Sequence, residues 1–487
     1  MTQIEDIFSL TEQQLNEEIV NLNLQQKRLI YINYLYSIGK LSTDQYYLIN
    51  NIHFGRIFLQ YEKFEDVERQ LNINPLIKQS ITSLDVEVYN KHNNYFPNEE
   101  NLISKQNFIE TNLMNDYYNK SVEKIKNIDK EIQKLSDENK TYLCNNVIEK
   151  MSQILTIIFN DKKLMKSYME NIKFLDLSYK SYLYSFNIKN NKFLLKSSKN
   201  IDKNLLHEGI VGLYGLNSLN KIIPNFCPIF AVAIPNFDKP FKFLSKDQYT
   251  KKQLNHFKNK KDEEDDKEKG DTYLIYQYIE SSISFTDFLK TCSVDDVLPY
   301  ILQIVFALKI ANEKINFTHY DLNVNNIILQ DVKGIDNFYI EYSDSIYIKS
   351  NKIATIIDYE ISHFKYLNQN LGSLEEFSYL GILRNKDNLR IDIYRFLVLL
   401  IFTMKLYSNK NYLSLAPLIY FFNNKENIDY ICESQNDSYL ILSPSHEIPF
   451  NINQFIDYVL DFIKTYNYTN PIKNKLSKDD YIVNCQN

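Results

Sequence analysis

The stretch that most constrains this 487-residue chain is Phe317 to Leu329, FTHYDLNVNNIIL, in which His319, Asp321 and Asn326 stand at the spacing H-x-D-L-x-x-x-N. That spacing suits a carboxylate that orients an incoming hydroxyl, followed by an amide oxygen that helps hold Mg²⁺ against nucleotide phosphates. A match this short can arise by accident in an Asn-rich chain, so the flanking sequence must carry the reading.

Both flanks agree. Val297 to Lys314 (VLPYILQIVFALKIANEK) sets Leu298, Ile301, Ile304, Val305, Leu308 and Ile310 at the period of a helix buried on one broad face. Downstream, Lys352 to Ser362 (KIATIIDYEIS) reads as a buried strand ending in Asp-Tyr-Glu, and Arg390 to Leu400 (RIDIYRFLVLL) reads as a core helix opening near Asp392. Four segments in this order resemble the protein-kinase superfamily. The resemblance makes Asp321 the base of the catalytic loop, with His319 in structural support. Asp358 becomes the Mg²⁺-binding carboxylate of the D-F-G segment, and Asp392 the helix residue that holds the loop backbone. It implies an α+β, bilobal, protein-kinase-like fold with ATP and Mg²⁺ as cofactors.

The small-lobe half of the pattern lies upstream. Phe193 to Lys196 (FLLK) resembles the strand whose lysine neutralises the α- and β-phosphates of ATP, which points to Lys196. Its required partner is a glutamate on the next helix. The stretch 207–223 (HEGIVGLYGLNSLNKII) supplies Glu208 near its start, and Pro224 stops it. Gly209, Gly212 and Gly215 fall at every third position inside this helix, a spacing for close packing and not for a phosphate loop. Tyr273 to Ile279 (YLIYQYI) reads as the strand entering a hinge, where backbone groups of Gln277 to Ile279 would meet the adenine edge. Phe285 to Leu289 then begins the large lobe.

The predicted organisation is a helical extension over 1–170, a mostly β small lobe over 171–282 and a mostly helical large lobe over 283–487. The small lobe carries a charged insertion over 245–271, whose core, Lys258 to Gly270 (KNKKDEEDDKEKG), has no apolar period and lacks EF-hand spacing. In the extension, Thr11 with Gln14 and Ser42 with Gln45 are capping-box patterns, and Gly39 suits a helix stop. Val122, Ile125, Ile128, Ile132 and Leu135 form one apolar helical stripe. The extension shows no catalytic pattern; packing on the core, or docking of a partner, is its expected role. His53 and His92 have no companion at metal-ligand spacing. Two β-like runs, Phe338 to Tyr342 and Ser345 to Lys349, predict a hairpin inserted ahead of the metal-binding strand, and residues 403–487 read as helical and irregular.

Composition excludes more than it selects. Formal net charge is -6 with 24% charged residues, which gives no reason to expect a nucleic-acid partner. The excess of Asn, Ile, Lys and Tyr, with 38 Tyr and no Trp, looks like the coding bias of an AT-rich genome. Five scattered cysteines, Cys144, Cys227, Cys292, Cys432 and Cys485, form no C-x-x-C pair, and a reducing compartment is expected. The start MTQIEDIFSL is acidic, and the longest apolar run, Phe396 to Phe402, is too short for a bilayer. No membrane span is expected, and the expected location is cytoplasmic: the host cytoplasm, or the virion if the source is viral.

More narrowly, THYDL…NN, IIDY, HE…GLYGLN and IPNF are similar to kinase-like proteins of large cytoplasmic DNA viruses, iridoviruses among them. That resemblance implies a serine/threonine kinase acting on a protein substrate. Carried over by residue, Lys196 and Glu208 handle phosphates, Asp321 is the base, and Asn326 with Asp358 holds Mg²⁺. The chain departs from the pattern in several places. Tyr320 replaces the usual Arg, which removes the pocket that reads an activation-loop phosphate. Asn323 replaces a Lys that steadies the γ-phosphate, and Glu360 replaces the Gly of D-F-G. No A-P-E segment lies between Asp358 and Asp392, and Leu177 to Phe186 (LSYKSYLYSF), where a phosphate-covering loop belongs, has no glycine. These departures keep two alternatives open: a pseudokinase acting as a nucleotide-binding or scaffold module, and a small-molecule kinase.

Overall fold

The computed structural model describes residues 99–137, 145–177, 181–198, 202–234, 272–280, 282–332, 334–343, 345–372, 387–422, 450–477 and 480–483. All of these but 99–104 belong to one compact unit. The charged insertion, the capping boxes, Gly39, His53 and His92 lie outside the described residues. The fold is α+β.

Among the described residues four helices come first: α1 (Glu99–Lys124), α2 (Ile128–Asp137), α3 (Asn145–Phe159) and α4 (Lys162–Tyr168). The stripe expected to be continuous from Val122 to Leu135 is broken at 125–127, where Asn127 turns its side-chain oxygen to the Lys130 N–H and starts α2. The apolar pattern survives the break because Ile125, in the break, and Ile132, on α2, reach the same core. Ile125 and Ile132 are buried, while Val122 is exposed.

Strands β1 (Glu170–Leu177), β2 (Ser181–Ile188), β3 (Asn191–Ser198), β4 (Ile229–Ala233) and β5 (Thr272–Gln277) form an antiparallel sheet in the order β1-β2-β3-β5-β4. Most of the stretch expected to be a phosphate-covering loop, from Ser181 onward, is β2. α3 covers the sheet. Its Ile148, Met151, Ile154, Leu155, Ile158 and Phe159 share one core with Phe186, Phe193, Phe230 and Tyr273, so packing runs without interruption across residue 170. Phe159 alone meets Phe186 at 5.5 Å and Tyr273 at 6.1 Å between ring centroids.

Between β3 and β4 the expected helix over 207–223 is corrected at both ends. Helix α5 runs Lys203–Ile210, started by Asp202, whose carboxylate accepts from the Asn204 and Leu205 N–H groups. It then loosens into a π turn at Val211–Gly215 and a 3₁₀ turn at Leu216–Lys221. The glycines explain how close this segment lies to the sheet. A Cβ on Gly209 would come within 2.5 Å of Val232 Cβ, and one on Gly212 within 2.5 Å of Ile229 Cβ.

The second half opens with β6 (Ser282–Ser284), α6 (Phe285–Leu289) and α7 (Val294–Ile315), the last locked at its start by a capping box between Ser293 and Asp296. Asn316 ends α7 in the left-handed conformation at φ 50°, which turns the chain into His319 and Asp321. Strands β7 (Ile327–Asp331) and β10 (Lys352–Ile356) pair beneath that turn, with β6 on the outer edge of β7. The inserted hairpin is present as β8 (Phe338–Ser343) and β9 (Ile346–Ser350). A small hairpin, β11 (Phe364–Tyr366) with β12 (Gln369–Leu371), precedes α8 (Leu389–Leu406) and α9 (Ile452–Thr465). Two short strands were not expected in the last segment: β13 (Ile472–Lys473) and β14 (Ile482–Val483) flank the inserted hairpin in the order β13-β9-β8-β14.

Candidate active site

β3 and α5 build the first cluster. Lys196 sits on β3 opposite Leu183 and Leu274, and its Nζ lies 3.0 Å from Glu208 Oε2, 3.2 Å from Asp358 Oδ1 and 3.7 Å from Glu360 Oε2. Glu208 is fully buried. Its other oxygen accepts from the Tyr359 N–H at 2.9 Å, and Tyr276 hydrogen-bonds the same carboxylate. Asn204, one turn earlier on α5, donates to Glu360 Oε1 at 3.2 Å.

The electrostatics follow from one cation among three carboxylates. Burial opposes the charge on Lys196, but Glu208, Asp358 and Glu360 together raise its pKa, so it stays protonated. Burial likewise opposes the ionised form of Asp358, and the charge and hydrogen bond of Lys196 overcome it, holding the carboxyl below the ordinary range. For Glu208 burial prevails and pushes the carboxyl up, against the pull of Lys196.

α8 and the turn after α7 build the second cluster. The buried Asp392 carboxylate accepts from the His319 N–H at 2.6 Å and the Tyr320 N–H at 2.7 Å, and burial raises its pKa to about 6. Arg395, one turn further along α8, donates from Nη1 to the Tyr320 carbonyl and from Nη2 to Asp321 Oδ1 at 2.9 Å. This clamp accounts for a bulky residue at positive φ. Tyr320 stands at φ 61°, which costs about 1–2 kcal/mol for an L-residue, with its N–H and its carbonyl both pinned. His319 Nδ1 accepts from the Asp321 N–H at 3.2 Å, so its Nε2–H is the donor to the Ile357 carbonyl at 3.0 Å. Asn326 Nδ2 donates to the Asp321 carbonyl at 2.9 Å and to Asp321 Oδ2 at 3.2 Å.

The two clusters meet at Ile357. Its carbonyl takes the His319 ring, and its N–H donates to the Asn326 carbonyl at 3.0 Å. The next residue, Asp358, stands at φ 68°. His319, Asp321, Asn326 and Asp392 are therefore joined by hydrogen bonds, Ile357 connects them along the chain to Asp358, and Lys196 and Glu208 join through Asp358. Gln277 and Ile279 stand apart from this network. Gln277 ends β5 with its N–H given to the Pro228 carbonyl at 3.1 Å, and Ile279, expected within the strand, lies beyond it and is half-buried.

Among the described residues no group of three or more His, Cys, Asp and Glu side chains is arranged to hold a metal ion by itself. An amide and a carboxylate, Asn326 and Asp358, do fit Mg²⁺, which takes few protein oxygens and completes its shell with phosphates and water. Sequence reasoning missed Arg395, Tyr276 and the part Glu360 takes in the lysine cluster. Arg395 had one available signal: it follows Asp392 by three residues and so shares its helix face.

No family model matches the chain. It is similar to a protein named Probable kinase 098L of Invertebrate iridescent virus 3, 31% identical over 182 residues, which cover 36% of this chain and 33% of that protein. It also resembles Uncharacterized protein 035R of the same virus, at 27% over 199 residues, covering 38% of this chain and 17% of that protein. A third relative is Uncharacterized protein 179R of Invertebrate iridescent virus 6, at 28% over 187 residues, covering 38% of this chain and 14% of that protein. The chain thus spans about a third or less of the length of these relatives. A viral kinase-like relationship is what they support. Among the described residues no helix is long and apolar enough to cross a membrane.

Proposed function

We propose that the protein is a Mg-ATP-dependent phosphotransferase that transfers the γ-phosphoryl group of ATP to serine or threonine hydroxyls of a protein. The observation that carries this reading is the bridge from Lys196 Nζ to Glu208 and Asp358, which aims one fixed cation at the space beside the carboxylate expected to meet the metal. In this reading Lys196, oriented by Glu208, neutralises the inner phosphates. Asn326 and Asp358 would hold Mg²⁺, which when bound would supply positive charge against the phosphates. Asp321 accepts a hydrogen bond from the incoming hydroxyl and orients it for in-line attack. Backbone groups of Gln277 to Ile279 serve the adenine. Lobe limits at 171–282 and 283–487, a helical extension over 1–170 and a cytoplasmic location complete the proposal.

The test is transfer of labelled phosphate from ATP, with Mg²⁺, to a generic basic protein. Asp321→Asn and Asp358→Asn should each lower turnover on the order of a hundredfold or more, because positioning and charge stabilisation carry this chemistry. ATP binding with no transfer would turn the reading into a nucleotide-binding scaffold. ATP consumption with small hydroxyl compounds alone would turn it into a small-molecule kinase.

A further inference from the structure

Arg395 is a buried cation that the mechanism above leaves unused, and it touches the proposed base directly. Its side chain is 5% exposed and its two terminal nitrogens grip consecutive residues: Nη1 the Tyr320 carbonyl, Nη2 Asp321 Oδ1 at 2.9 Å. A guanidinium is the side chain that can do this, since its planar fork presents parallel donors, whereas an ammonium is a single point charge. Apart from Arg395, the Asp321 carboxylate accepts from Asn326 Nδ2 at 3.2 Å, and its side chain is 38% exposed. Arg395 takes one oxygen out of play. Oδ2, which accepts from Asn326 Nδ2 at 3.2 Å, keeps a second lone pair for an incoming hydroxyl.

There is also a charge argument. Asp321 is an anion next to the place where a triphosphate would sit, and the described loop from His319 to Asn326 contains no Lys or Arg of its own. A guanidinium on the far side of the carboxylate offsets part of that repulsion without blocking the oxygen that works.

We propose that Arg395 is a positioning residue for the transfer step, which orients Asp321 so that Oδ2 meets the incoming hydroxyl and balances its charge against the nucleotide. The inference rests on the phosphotransferase reading. Its test is steady-state transfer from ATP to histone, with Mg²⁺, by the full chain and by Arg395→Met, Arg395→Lys and Arg395→Ala. Arg395→Met should lower kcat on the order of a hundredfold while KM for ATP stays within about twofold, since the residue acts only on the reacting hydroxyl. Arg395→Lys, keeping the charge and losing the fork, should fall between the two. Ethylguanidinium should restore Arg395→Ala by about tenfold or more, with no gain for the wild type and none from NaCl at equal ionic strength. Wild-type kcat in Arg395→Met overturns the inference. So does a lowered melting temperature in all three variants with no rescue by ethylguanidinium, the pattern of a purely structural prop. A wild-type chain that transfers no phosphate overturns the phosphotransferase reading itself, and this inference with it.

Discussion

Lys196 shows how much depends on a single side chain. It is the cation that faces Glu208, Asp358 and Glu360, and Glu208 is wholly buried, so removing the charge strands a carboxylate where water cannot reach it. Breaking a buried pair costs about 3–5 kcal/mol, and the lower end applies because Glu208 can take up a proton. Lys196→Met should therefore lose about 3 kcal/mol in urea unfolding and nearly all phosphate transfer. Lys196→Met with unaltered stability would mean that Glu208 is solvated in the folded chain.

Helix α5 carries more than Glu208. The neighbouring His207 is fully buried, with Nδ1 2.7 Å from Glu110 Oε1 on α1 and Nε2 2.7 Å from the Ser362 carbonyl, so one imidazole ties three segments together. Burial opposes its charge, but Glu110, the Ser362 carbonyl and Glu208 overcome this and raise its pKa. A raised histidine stabilises fully below its unfolded value, about 6.5, and that contribution is lost as pH climbs through the folded value. Melting temperature should thus fall as pH rises above 6.5, and His207→Gln should flatten that slope. An unchanged slope in His207→Gln would assign it to other groups. The same helix has no room to grow toward β4. Gly209→Ala would force its Cβ against Val232, at a cost of about 1–3 kcal/mol. As α5 backs away it carries Glu208 from Lys196, so transfer should fall together with the melting temperature. A fully stable, fully active Gly209→Ala would show that α5 moves freely on the sheet.

Across the whole molecule, distant segments complete each other's sheets. The inserted hairpin β8–β9 has both edges covered by the last described residues: Tyr339 N–H donates to the Tyr481 carbonyl and Lys349 N–H to the Pro471 carbonyl, each at 2.8 Å. Lys473 closes the seam, 4.6 Å from the Tyr339 ring and 3.2 Å from Asp480. A chain ending at Asn470 exposes both edges and should melt lower by about 2–4 °C for each kcal/mol lost. Its KM for ATP should stay within about twofold of the full chain, since no residue of β13 or β14 touches Lys196 or Asp321. A large rise in that KM would mean that the tail supports the nucleotide site.

What the sequence determined by itself was the set of short-range relations that chemistry imposes. His319, Asp321 and Asn326 lie within one turn and its neighbouring strand, so their spacing is written in the chain. Asp358, two residues past β10, and Asp392, in the first turn of α8, adjoin apolar periods that are equally plain. The inserted hairpin was readable for the same reason. The limits of α5 were not, because Asp202 caps it from outside the apolar period and Gly209 and Gly212 draw it onto β4. Neither were the fork of Arg395, the link from Glu110 to His207, or the two edge strands β13 and β14. Each of these joins groups far apart in sequence, and only the packed core, by removing water from between them, decides which partners they find.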